Sequence, residues 1–61
     1  MYRIYAQADN HGLLVRIGAS YANLAKALAR AATIPGHLAF RIKQVSQKGE
    51  SEVLVHERSP Q

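Results

Sequence analysis

Residues 2–8 alternate, with Ile4, Ala6 and Ala8 on one side and Arg3, Tyr5 and Gln7 on the other. That is the period-two pattern of a strand with one buried face. Asp9-Asn10-His11-Gly12 then reads as a turn, because Asp and Asn bond their own backbone and Gly accepts positive φ without a Cβ clash. Alternation resumes over residues 13–18, with Leu13, Val15 and Ile17 set against Leu14 and Arg16. A four-residue loop places Ala8 opposite Leu13, Ala6 opposite Val15 and Ile4 opposite Ile17. Inward residues then meet inward residues, so register and pattern agree.

A helix is predicted over residues 21–32, rich in Ala and Leu, with Ser20 as its N-cap. Tyr21, Leu24, Leu28 and Ala31 recur three and four apart as the stripe for the sheet, while Asn23, Lys26 and Arg30 point to water. Ile34-Pro35-Gly36 ends it, since proline keeps the preceding residue from helical angles. In a third strand, residues 38–45, Leu38, Phe40 and Ile42 alternate with Ala39, Arg41, Lys43 and Val45. Ser46-Gln47-Lys48-Gly49 is a second turn, and residues 50–57 supply a fourth strand.

With a four-residue loop here too, Val53 meets Ile42 and Val55 meets Phe40 on the inward face. Outward, Lys43 faces Glu52 and Arg41 faces Leu54, unless a bulge turns Leu54 inward. The expected fold is α+β, a ββαββ unit with one helix packed on one face of a four-stranded, mainly antiparallel sheet. It forms a single domain over residues 1–58, with 59–61 as a flexible end. The second and third strands run in the same direction through a right-handed crossover, and the strand order stays open.

The chain has 61 residues, and a fold of that size buries only roughly 60% of the surface its unfolded chain exposes. Its one small core must be held by packing or by a partner, because without Cys there is no disulfide and no thiolate for zinc. A pocket of several hundred Å³ with its own catalytic shell would take much of such a chain, which favours binding over catalysis. No apolar run approaches the roughly 20 residues of a membrane span, and the start is unlike a signal peptide, so a cytoplasmic location is expected.

Charge is distributed unevenly. Seven basic residues precede Gly49 against one acid, Asp9, a net of +6, whereas from Gly49 onward three Glu oppose only Arg58, a net of −2. A positive field of this kind steers association with anions, nucleic acid or an acidic protein surface alike. The uncovered sheet face is expected to carry Arg3, Tyr5, Arg16, Arg41 and Lys43, with Leu14, Val45 and Leu54 among them. These basic residues around an aromatic suit single-stranded nucleic acid, where bases stack and cations track phosphate, although Tyr5 alone is so placed. An ordinary solvated face, with Lys43 paired to Glu52 and Arg16 packed along Tyr5, is the plainer alternative.

His37 and His56 are expected to approach on the outward face with Arg58 nearby, the minimum for a small ribonuclease, yet no carboxylate completes that set. His11 stands apart, no metal-ligand spacing occurs, and no cofactor is implied. Gly18-Ala19-Ser20 at a helix start can hold an anion, but one glycine fits capping better.

From Tyr2 to about Val45 the order of elements resembles the small phage-encoded inhibitors of bacterial RNA polymerase. The matching residues are His11 in the first turn, Val15-x-Ile17-x-Ala19, then Ala25, Leu28 and Ala29, Ile34-Pro35-Gly36, and the basic, apolar, basic triplet Arg41-Ile42-Lys43. The resemblance implies a non-enzymatic protein that binds the jaw of the largest polymerase subunit and the N-terminal region of the housekeeping sigma factor, with Arg41 and Lys43 in the polymerase contact. This chain departs from the family in a helix carrying Lys26 and Arg30 rather than acidic residues, and in its fourth strand. Type I anti-CRISPR proteins share the hairpin-helix-hairpin plan. The expected partner is thus a host protein complex, RNA polymerase first, with a DNA- or RNA-binding regulator as the alternative and a ribonuclease toxin third. The chain is expected to be a monomer or a weak dimer through the fourth-strand edge, where Glu50 and Glu57 discourage pairing.

Overall fold

The computed structural model describes residues 1–7 and 13–59. In order come β1 (Tyr2–Gln7), β2 (Leu14–Tyr21), α1 (Leu24–Ala31), β3 (Phe40–Val45) and β4 (Glu52–Arg58), the expected ββαββ. They form one sheet in the order β2-β1-β3-β4, with every neighbouring pair antiparallel. β2 and β3 flank β1, so they run in the same direction without touching. The predicted turn at residues 9–12, the pairing of Ala8 with Leu13, and Pro60 and Gln61 lie outside the described residues.

The core sits where the two inner strands meet the helix. Ile4 and Ile42 oppose each other across β1 and β3 and have no exposed surface. Ala27 and Ala31 of α1 are equally buried, and with no side chain beyond Cβ they let the helix backbone close on the sheet. Ala6, Phe40 and Ile34 complete the cluster, and Tyr2, Ile17, Tyr21, Leu24 and Leu38 pack around it. The first hairpin keeps its predicted register, Ile4 opposite Ile17 and Ala6 opposite Val15.

The helix starts three residues later than the pattern predicts. Asn23, expected on its wet face, is the cap: its backbone is extended and its side chain accepts the Lys26 N–H at 2.9 Å. Asn caps as well as Ser, and Tyr21 gains more from pairing with Tyr2 across the sheet, so β2 absorbs Ser20 and Tyr21. An irregularity between Tyr2 and Ile4 accommodates the extra β2 residues. Gly18 makes it possible: its φ is +65°, and a Cβ there would lie 2.5 Å from the Tyr21 hydroxyl.

The second hairpin departs further. Ser46 donates its N–H to the Ser51 carbonyl and accepts the Glu50 and Ser51 N–H groups on its Oγ, closing a loop two residues longer than predicted. Pairing starts at Val45 with Glu52, and a bulge leaves Val55 as an extra residue between Lys43–Leu54 and Ile42–His56. The predicted inward valines therefore miss the core, with Val53 60% and Val55 38% exposed, and Leu54 stays on the open face beside Lys43. His56 and Arg58 take the helix side instead. The His56 ring stacks on Phe40 at 5.7 Å, and the Arg58 guanidinium lies 4.7 Å from the Phe40 ring centre. One Arg58 nitrogen donates to the carbonyls of Ile34, Pro35 and Leu38, tying β4 to the loop that follows the helix.

This register makes Ile42 and Val53 unequal. A domain of this size has a total stability of roughly 3–9 kcal/mol. Ile42→Ala is expected to remove about 2–5 kcal/mol of it, and Val53→Ala to stay within about 0.5 kcal/mol. Urea denaturation in dilute solution checks this, and equal losses would contradict the register.

Candidate functional site

The face of the sheet away from α1 is laid out in rows. Arg16 of β2, Tyr5 of β1, Arg41 of β3 and Glu57 of β4 oppose one another in succession across the whole sheet. The next row sets Arg3 beside Lys43 and Leu54, and the row beyond it Val45 beside Glu52. Neighbouring members of a row stand on strands about 4.8 Å apart in the hydrogen-bonding direction. All five predicted site residues, Arg3, Tyr5, Arg16, Arg41 and Lys43, thus share one surface, in which four cations meet two carboxylates.

Glu52 organises one end. Its Oε2 accepts the Tyr5 hydroxyl at 2.5 Å and Arg3 Nη1 at 3.1 Å, while the Lys43 ammonium lies 5.2 Å from the Tyr5 ring centre. The expected pairing of Lys43 with Glu52 is replaced, because the longer loop sets Glu52 opposite Val45 and leaves its carboxylate to β1. Arg41 likewise faces Glu57 rather than Leu54, its Nε 3.5 Å from Oε2, with both side chains about half exposed. Arg16 opposes Tyr5 as expected and donates to the Ser20 hydroxyl at 3.2 Å. The central cations are accordingly held loosely, and an exposed ion pair of this kind contributes little.

No protein-family model, curated protein or solved structure matches the chain.

The histidines are not brought together on this face. His56 lies on the helix side against Phe40, His37 is exposed in the loop after α1, and His11 is outside the described residues. Among the described residues no three His, Cys, Asp or Glu side chains gather as a metal site, and no helix is long and apolar enough to cross a membrane. A cleft of about 290 Å³ opens at one end of the sheet between Gln7, Leu14, Phe40, Arg41, Glu57 and Arg58. Sequence reasoning missed Glu52 as the anchor of Tyr5 and Arg3, and Arg58 as the tie between β4 and the loop. Both roles follow from a loop length that the hydrophobic pattern alone did not carry.

The Tyr5 hydroxyl above all holds the Glu52 carboxyl below the usual carboxylate range; burial opposes it, and the Arg3 guanidinium and the Lys43 charge add smaller lowering effects. The same hydrogen bond from the other side, reinforced by burial, pushes the Tyr5 hydroxyl above its ordinary value. Glu52 thus stabilises the fold fully above about pH 5 and loses its contribution as pH falls through the lowered value. Tyr5 contributes fully below about pH 9 and loses its share as pH rises through the raised one. Glu52→Gln should lower the thermal midpoint at neutral pH, with the gap to the parent narrowing toward about pH 3. A gap that stays constant over that range would contradict the assignment.

Proposed function

We propose that this chain is a non-enzymatic binding module, a phage or mobile-element inhibitor that acts in the bacterial cytoplasm on a host machine handling nucleic acid, RNA polymerase first. The observation that supports it is the placing of Arg41 and Lys43. They project two residues apart from an inner strand, on the face that α1 leaves open, with Arg16 and Arg3 beside them on β2 and β1. A cationic face of this kind speeds encounter with an acidic surface and fixes the orientation in which it docks. Arg41 gives up little on release from Glu57, so a partner's carboxylate can take its place. The triplet Arg41-Ile42-Lys43 is also where the resemblance to polymerase inhibitors puts the contact.

A nucleic-acid regulator is the second reading, favoured by Tyr5 standing between Arg16 and Arg41. The same face argues for a protein partner instead. Lys43 lies over the Tyr5 ring on which a base would stack, the Tyr5 hydroxyl is held by Glu52, and the two β4 carboxylates repel a uniformly charged phosphate backbone.

Arg41→Glu combined with Lys43→Glu should weaken capture of purified bacterial RNA polymerase by about tenfold or more, while the circular dichroism spectrum stays that of the parent. Unchanged capture would overturn the reading. Salt-sensitive binding of naked oligonucleotide without polymerase capture would move it to the nucleic-acid regulator.

A further inference from the structure

β4 is an edge strand, and it carries three large apolar side chains in succession, Val53, Leu54 and Val55, with 60%, 46% and 38% of their surface exposed. α1 lies closest to β1 and β2, toward the other side of the sheet, and leaves these side chains exposed. An edge strand offers a row of unpaired N–H and C=O groups, and beside exposed apolar side chains that row is a template for a further strand.

The strand's own pattern says which strand. Leu54 and Glu57 face the open side, opposite Lys43 and Arg41, whereas Val53, His56 and Arg58 face the helix side, opposite Gln44, Ile42 and Phe40. The bulge puts Val55 beside His56 against Ile42. Strands that pair about a two-fold axis perpendicular to the sheet must match face with face, and a slip of one residue breaks that match. Setting Glu52 against Arg58 opposes an open-side residue to a helix-side one, and setting Glu52 against Glu57 opposes like charges.

We infer that β4 pairs antiparallel with β4 of a second copy of this chain, placing Val53 opposite Arg58, Leu54 opposite Glu57 and Val55 opposite His56 of that copy. In this register every pair shares a face, no carboxylate meets a carboxylate, and the Val55 side chains of both copies flank the axis. The stretch from Gly49 onward carries −2 while the rest carries +6, so joining through β4 keeps the strongly basic parts of the two copies apart. The interface is isologous and closes at two copies. Both open faces then lie on the same side of one eight-stranded sheet, an arrangement that holds whichever partner those faces bind.

Sedimentation equilibrium of the full chain from about 1 μM to about 1 mM should show reversible monomer–dimer exchange. Val53→Lys, which opposes a cation to Arg58 of the second copy, should weaken it by about tenfold or more, and Val53→Glu should leave it unchanged or tighter. Val53 is mostly exposed in the single chain, so both variants should keep the parental circular dichroism spectrum. The inference is overturned by a monomer at every concentration, by equal effects of the two substitutions, or by growth beyond two copies, which would mean that β4 pairs with the β2 edge instead.

Discussion

One short helix cannot cover four strands, and the rest of the molecule follows from that shortfall. α1 has eight residues, about 12 Å of length, and it lies closest to β1 and β2 while its alanines also bury Phe40 and Ile42 of β3. Among the described residues, the pair Ile4 and Ile42 and the helix residues Ala27 and Ala31 are the most deeply sealed. β4 stands beyond the helix, and besides its backbone ladder to β3 it is attached by side chains with polar or charged tips. Arg58 reaches three loop carbonyls across Phe40, His56 stacks on the same ring, and Glu52 holds Tyr5 and Arg3 on the other face. These attachments leave the strand's valines without a core to enter.

The same constraint separates the two surfaces that remain for function. The face opposite the helix is free of packing, so its residues need satisfy only charge and hydrogen bonding. Arg16, Tyr5, Arg41 and Glu57 line up across it by register alone. Its polarity is directional, cationic from β2 to β3 and acidic at β4, which suits a protein surface of mixed charge better than a phosphate backbone. The outer edge of β4 differs in kind, since it offers backbone groups and apolar side chains rather than cations.

Most of the fold was legible because alternation is a strong signal where one face is buried. The β1–β2 register, the inward Ile4, Ala6, Phe40 and Ile42, and the outward Arg3, Tyr5, Arg16, Arg41 and Lys43 all came from period two. The helix start was misplaced because Ser20 and Asn23 are both good caps, and local sequence does not weigh a cap against the strand pairing open to Tyr21. β4 was misread for a related reason. Val53 and Val55 look inward by alternation, but Ser46 sets a longer loop and the bulge at Val55 changes the phase, so His56 and Arg58 arrive over the core. Which carboxylate meets which cation on the open face depends on that loop, so the site's members were readable and its pairings were not.

β4 is thus held by its polar clasps while the β1–β3 pair carries the core. Native-state amide hydrogen exchange on dilute protein tests it most directly. The amides of β1 and β3 around Ile4 and Ile42 should exchange only through global unfolding, and those β4 amides bonded to β3 through a smaller opening of lower free energy. Arg58→Ala should accelerate the second group by more than the first. β4 amides as slow as those around Ile42, with both groups responding equally to Arg58→Ala, would show instead that the sheet is held as one unit.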